Sequence, residues 1–365
     1  MPNDFASLNR LYNDNSFEEL CVQPDGIYFL KLRSLARPTL LGRLAEAAEL
    51  QAEEIPRREI LQRVFQKRVP VAVLEKLIRQ VFAEERGVRQ QQEPFIVSQL
   101  FRMTHFDWGG LYQNSLERTI VDNYVKKIQN FEELNQKIDT ELQASLRGYV
   151  LCSWYNHWSS ILIEDIFKSH PTMLPTVGLI KKVDFFWHDT PFDLKVTYFP
   201  DGYMKLRRKG LGLSDELTEL KRFARSHSIH FDKETPENIL FPELFAKISE
   251  HSSSVCQEFI RQFRTTRRQI VTETLANPKP LARWLYEEQG VRRFDAANRF
   301  FLVLIDLSNL EESWKLKRNL NLVRQKVDEF LNARRELNLD SLKLEFEWES
   351  HIYHTFSEIL FVAKE

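Results

Sequence analysis

The residues best suited to chemistry lie in the segment 183–197, which reads VDFFWHDTPFDLKVT. Side chains on a strand alternate between two faces, so Phe192 and Leu194 are expected to point to one face. Asp193 and Lys195 are expected to point to the other. Asp-Thr-Pro in the middle of the segment is a turn signal, and the whole pattern therefore predicts a β-hairpin. Its strands are apolar but carry charges, which are costly to bury unless they pair or bind a metal.

Two carboxylates and one ammonium are the groups that metal-dependent cleavage of a phosphodiester requires. Asp184 and Asp193 offer hard oxygen ligands to Mg²⁺, which usually keeps several waters and takes further oxygens from the substrate phosphate. Lys195 would polarise the attacking water and stabilise the negative charge of the transition state. The alternative is a surface ion pair between Asp193 and Lys195 on a solvated strand face, and the spacing alone leaves both interpretations open.

The length of the turn decides whether the two aspartates meet. Residues that oppose each other across an antiparallel pair share one face of the sheet. Asp184 and Asp193 are nine positions apart, so they share a face only if an even number of residues forms the turn, for instance Asp189-Thr190. We predict this even-numbered turn.

The layout resembles the signature of PD-(D/E)XK nucleases. The second half of the signature is Asp-Leu-Lys at 193–195, and the first-half aspartate is Asp184, preceded by Val183 rather than by proline. The resemblance covers about residues 154–198, with weaker support toward the C-terminus. It implies a restriction-endonuclease-like core, in which helices flank a central mixed sheet, and a Mg²⁺-dependent nuclease that acts on double-stranded DNA.

Many members of that superfamily are type II restriction endonucleases. The resemblance therefore also implies sequence-specific cutting, a homodimer on a palindromic site and a companion methyltransferase encoded nearby. A structure-specific or repair nuclease is the rival among enzymes. A non-catalytic DNA- or protein-binding module that retains the fold is the rival from another class.

The third acid of the site is predicted from the resemblance, which places a glutamate on the helix before the catalytic strands. Glu164 fits this position, within the otherwise apolar stretch 161–167. We expect it to bind the same metal, close to Asp184. The alternative is a helix-surface pair with Lys168 at i,i+4. Glu117 is the reserve candidate.

Basic residues are the candidates for DNA contacts, because Lys and Arg neutralise phosphates. The formal net charge of the chain is −1, so any attraction to DNA must come from local clusters. A run of charges is more often a solvated face, and both interpretations remain open. The candidates are Lys181, Lys182, Lys205, Arg207, Arg208 and Lys209, with Arg261, Arg264, Arg267 and Arg268 in reserve.

Composition places the chain among ordinary globular proteins. It has 365 residues, of which 43% are hydrophobic and 28% charged, enough for one large domain or two. Three distant cysteines show no zinc spacing and predict reduced thiols in a cytoplasmic protein. The sequence contains no signal-peptide core and no apolar run of membrane-spanning length. It also lacks the GxxxxGK motif, which excludes a P-loop motor, and it contains no GxSxG motif.

Hydrophobic periodicity predicts a mixed α/β fold with a helical N-terminal region, residues 1–95, and the resemblance implies a nuclease-like catalytic core over residues 96–365. Helices are expected over 38–90, with breaks at Pro56 and Pro70. The polar stretch 87–93 is predicted to be a loop, and Asp-Gly at 201–202 a turn. Three further helices are predicted at 116–128, 154–167 and 314–331, a helix start at 214–217, and strands at 176–180, 300–305, 342–348 and 359–362.

Overall fold

The computed structural model of the protein describes residues 4–111, 115–180, 182–288, 297–336, 338–348 and 350–365. Within these residues, the chain forms helices and a six-stranded mixed sheet, so the predicted mixed α/β class is confirmed. Among the same residues, no helix is both long enough and apolar enough to cross a membrane.

In the described part of the chain, six α-helices lie before residue 101, and two of them begin where proline predicted a break. Pro56 and Pro70 directly precede the fifth and sixth helices, where a fixed φ and a missing N–H cost nothing. The first three helices lie before the segment in which helices were predicted. The bounds are α1 Phe5–Asn13, α2 Phe17–Val22, α3 Gly26–Ser34, α4 Leu41–Ala47, α5 Arg57–Lys67 and α6 Val71–Leu100.

Helix α6 corrects the prediction of a loop at 87–93. The helix runs through this stretch and past residue 95, where the boundary between the two regions was drawn. Gln, Arg and Glu are good helix formers, and their polarity here serves ion pairs rather than a loop. Arg86 donates to Glu93 at 2.7 Å, and Arg89 donates to the buried Asp165 at 2.7 and 2.8 Å.

Ten more helices follow in the described residues. They are α7 Leu116–Ile120, α8 Phe131–Lys137, α9 Gln143–Lys168, α10 Asp201–Gly210, α11 Glu216–Ser226, α12 Glu237–Glu250, α13 Ser254–Ala276, α14 Lys279–Glu288, α15 Leu320–Ala333 and α16 Leu339–Leu342. The predicted start of α11 is confirmed, because the Asp215 carboxylate caps it by accepting from the Thr218 N–H at 2.9 Å.

Three more of the local predictions need correction. The helix expected over 116–128 ends at Ile120 and continues as a π-helical turn, Val121–Val125. The helix expected over 314–331 is a 3₁₀ segment, Leu310–Arg318, followed by α15. Asp-Gly at 201–202 opens α10 instead of a turn, because extended Pro200 precedes it and an acidic residue suits the first turn of a helix.

The strands follow the predicted order. They are β1 Met173–Ile180, β2 Val183–Trp187, β3 Thr190–Tyr198, β4 Arg299–Asp306, β5 Lys343–Trp348 and β6 His351–Lys364, hydrogen-bonded in the order β1-β2-β3-β4-β6-β5. The pairs β1/β2, β2/β3 and β5/β6 are antiparallel. Every residue of β4 is buried, which confirms the strand predicted there as buried on both faces.

The chain groups into two compact units. The first comprises Met1–Leu194, Ala297–Arg299 and Glu311–Asn338, and the second comprises Lys195–Ala296, Phe300–Leu310 and Leu339–Glu365. In the first unit, the N-terminal helices and strands β1 and β2 share one hydrophobic core. The second unit contains two cores, one around β4 to β6 and one among α11 to α13.

Candidate active site

A two-residue turn joins β2 to β3. His188 and Asp189 form it, with φ of 46° and 63°, the positive values that a tight type I′ hairpin requires. An even-numbered turn was predicted, and this prediction is confirmed, although the turn lies one residue earlier than Asp189-Thr190. The opposed residues are Trp187 and Thr190, Phe186 and Pro191, and Phe185 and Phe192.

This register, continued by one residue, sets Asp184 opposite Asp193. The Asp193 N–H donates to the Asn298 carbonyl at 2.9 Å, and therefore points away from β2. The two aspartates thus occupy a non-hydrogen-bonded position, where opposed side chains approach most closely. Asp193 is only 9% exposed. Like charges opposed in this way destabilise a sheet unless other groups compensate them.

The Asp184 carboxylate is held by the backbone of the facing strand. Its Oδ2 accepts from the Leu194 N–H at 2.7 Å, and the Thr176 hydroxyl donates to the Asp184 carbonyl at 2.8 Å. The Asp184 carboxylate is therefore held beside the backbone of Leu194, the residue between Asp193 and Lys195. Sequence analysis missed this contact, because a bond to a backbone N–H leaves no residue-type signal in the partner strand.

Two variants should separate the structural role of the Asp184 hydrogen bond from the role of its charge. They are Asp184→Asn and Asp184→Ala. Asparagine keeps an oxygen that accepts from the Leu194 N–H, whereas alanine leaves that donor without its acceptor. We expect Asp184→Ala to lower the free energy of unfolding by about 1–3 kcal/mol more than Asp184→Asn does. Urea unfolding of both variants measures the difference. Equal stabilities would contradict a structural role for the bond.

The other face of the hairpin is apolar and covered, as the alternation predicted. Phe185 stacks on Phe167 of α9 with ring centroids 5.8 Å apart, and Phe192 lies 6.4 Å from Phe185. Trp187 on the same face contacts Phe330 of α15. These contacts fix the orientation of the hairpin and leave its charged residues on the opposite face.

Glu164 is positioned differently from the predicted third acid. It accepts from the Lys168 ammonium at 3.2 Å and is 33% exposed, which is the i,i+4 pair considered as the alternative. Three residues further along α9, Phe167 covers the sheet face opposite to that of Asp184. The described contacts therefore do not bring Glu164 to Asp184. Glu117 lies exposed on α7, and the identity of a third acid stays a prediction.

Two carboxylates are nevertheless sufficient for the metal that was predicted. Among the described residues, no group of three or more His, Cys, Asp and Glu side chains surrounds a common point suited to a metal ion. Mg²⁺ is usually bound through one or two carboxylates, with waters and substrate phosphates completing its shell. Asp184 and Asp193, opposed and partly or fully buried, fit that pattern.

The basic residues predicted to contact DNA differ in their exposure and in their contacts within the protein. Lys181 lies outside the described residues. The Lys182 ammonium lies 5.3 Å from the centroid of the Phe17 ring. Lys205 and Lys209 are exposed on α10, whereas Arg207 donates to Glu273 at 2.8 Å.

Arg208 is a structural residue in this fold. It is 1% exposed, and its guanidinium donates to the Ser214 carbonyl at 2.8 Å and to the Glu219 carboxylate. It therefore joins α10 to α11 and does not reach solvent. In the reserve segment, Arg267 is likewise bound to Glu216 at 2.7 and 2.8 Å. The exposed cations of the run, Lys205 and Lys209, remain the candidates for phosphate contacts.

Comparison with protein-family models, with curated proteins and with solved structures yields no match.

Proposed function

We propose that the protein is a Mg²⁺-dependent endonuclease that hydrolyses phosphodiester bonds in double-stranded DNA. The observation that supports it is the hairpin register, which opposes Asp184 to Asp193, with Lys195 two residues further along the same strand. From the resemblance, the proposal extends to a type II restriction enzyme: a cytoplasmic homodimer that cuts at a defined sequence, with a companion methyltransferase.

Each side chain of the hairpin has a distinct part in this proposal. Mg²⁺, when bound, would polarise the phosphate and lower the pKa of a bound water. Asp184 and Asp193 would hold it, and the Leu194 N–H keeps the first carboxylate oriented. Lys195 would stabilise the charge that grows on the phosphate oxygens. The apolar surroundings strengthen these interactions, because the local dielectric constant is low.

Supercoiled plasmid DNA tests the proposal directly. We expect nicked and linear products with Mg²⁺, and intact plasmid with EDTA or with Asp193→Asn protein. Sequencing the ends of the products would then separate a restriction enzyme, which cuts at one sequence, from a structure-specific or repair nuclease. Binding to DNA without nicking at any Mg²⁺ concentration would contradict the proposal and favour a non-catalytic binding module.

The salt dependence of DNA binding tests the cations of α10. Measured in Ca²⁺ to prevent cleavage, the binding constant of the Lys205→Ala/Lys209→Ala protein should fall less steeply with salt than that of the wild type. The log–log slope should decrease by about 0.9 for each phosphate that the protein no longer neutralises. Lys233→Ala/Lys279→Ala, which removes the same charge elsewhere in the chain, is the control. If the α10 variant and the wild type show equal slopes, Lys205 and Lys209 do not contact phosphates and only form a solvated face of α10.

A further inference from the structure

A buried lysine of the N-terminal region contacts the turn of the candidate hairpin. Lys31 of α3 is 2% exposed. Its ammonium donates to Glu75 of α6 at 2.6 Å and to Asp189, which lies 158 residues away in the sequence. The ammonium also lies 5.9 Å from the centroid of the Phe186 ring. Burying an ammonium is costly unless it is paired, and here one of its two partners is the hairpin turn itself.

The turn needs such support because its own sequence does not favour its conformation. Type I′ turns usually contain Asn-Gly or Asp-Gly, since both central residues have positive φ. This turn is His188-Asp189, with positive φ at both positions and no glycine. A slip of the pairing by one residue would turn every side chain of a strand to the other face. Asp184 would then no longer share a face with Asp193.

We propose that Lys31 is a positioning residue that fixes this turn through Asp189 and so keeps Asp184 opposite Asp193. Glu75 on α6 holds the other side of the ammonium, which ties its position to two helices of the N-terminal region. The helical N-terminal region thus helps to position the residues of the candidate metal site. The effect on metal binding rests on the proposed function, whereas the effect on register does not.

Four variants test the proposal. Lys31→Met removes the charge with little change in length, and Glu75→Gln keeps the Asp189 contact. Asp189→Gly removes the contact but lets the turn adopt positive φ without steric cost, so the hairpin no longer needs Lys31. The fourth protein combines Lys31→Met with Asp189→Gly. It tests whether a turn that adopts positive φ without steric cost keeps the register when Lys31 is absent.

The Mg²⁺ concentration for half-maximal cleavage is the first measurement. For Lys31→Met we expect it to rise about tenfold, because apparent affinity falls with the fraction of molecules in the competent register. The rate at saturating Mg²⁺ should stay within about threefold of the wild-type rate, since metal binding restores that register. Adding Asp189→Gly should return the concentration to the wild-type value, and Glu75→Gln, whose amide oxygen still accepts from the ammonium, should raise it less than Lys31→Met does. A residue that only stabilises the fold would change the unfolding midpoint without this pattern.

The register itself is the second measurement and does not depend on activity. Opposed residues at a non-hydrogen-bonded position bring their α protons close together, so a nuclear Overhauser contact between Asp184 and Asp193 reports the pairing. We expect this contact to weaken in Lys31→Met and to return in Lys31→Met/Asp189→Gly. An undiminished contact in Lys31→Met would overturn the proposal. If the wild type shows the contact but neither binds Mg²⁺ nor cleaves, the proposed function fails, and the contact in Lys31→Met still decides the role of Lys31.

Discussion

Asp193→Ala and Lys195→Ala should each reduce the cleavage of plasmid DNA by at least about 1000-fold at saturating Mg²⁺. Asp193 opposes Asp184 across the hairpin and would hold the metal ion. Lys195, on the same strand face, would stabilise the transition state. On the proposed mechanism both groups would stabilise mainly the transition state, so binding of DNA should change far less than the cleavage rate.

The control for these two variants lies on the same strand. Thr197→Val changes the next residue on the same strand face and should leave the cleavage rate within about threefold, since it removes neither a carboxylate nor an ammonium from the proposed site. Circular dichroism should match the wild type in all three proteins, and DNA binding in Ca²⁺ should change far less than the cleavage rate. If Asp193→Ala or Lys195→Ala cleaves at a near-normal rate, the assignment of the site is wrong.

Local sequence patterns predicted those parts of the fold whose cause is local. Strand alternation located the second arm of the hairpin, the turn signal placed the first arm before it, and a continuous apolar run located β4. Pro56 and Pro70 located the starts of two helices because proline acts on its own backbone. The even-numbered turn followed from the requirement that two aspartates share a face, although its residues, His188-Asp189, contain no glycine to mark them.

Contacts between distant residues could not be predicted from the same patterns. Lys31 reaches Asp189 across 158 positions, and nothing near either residue in the sequence indicates the other. The stretch 87–93 was taken for a loop because it is polar, whereas its charges pair with residues such as Asp165, which lie beyond the reach of a local window. The Leu194 N–H that holds Asp184 carries no residue-type signal at all.

Arg208 shows how a charge run can mislead. Its place among Lys205, Arg207 and Lys209 gave it the pattern of a phosphate contact, yet α10 is amphipathic and turns this side chain inward. A helix repeats every 3.6 residues, so four basic residues within five positions cannot share one face. Tyr203, Met204 and Arg208 form the buried side of the helix.

Arg208→Ala should therefore act on stability. The guanidinium is buried but the Glu219 carboxylate is 31% exposed, so the loss of the guanidinium's hydrogen bonds should cost about 1–3 kcal/mol. Here the carboxylate of Glu219 and the carbonyl of Ser214 would both lose their donor. We expect a marked decrease in the urea midpoint of unfolding, whereas Lys209→Ala, at the adjacent exposed position, should change the free energy of unfolding by no more than about 0.5 kcal/mol. Arg208→Lys should recover only part of the stability, because an ammonium cannot reproduce the two-sided guanidinium geometry.

Below the unfolding transition, the salt slope of DNA binding should be the same for Arg208→Ala as for the wild type. A variant of wild-type stability with a flatter salt slope would show instead that this guanidinium reaches a phosphate.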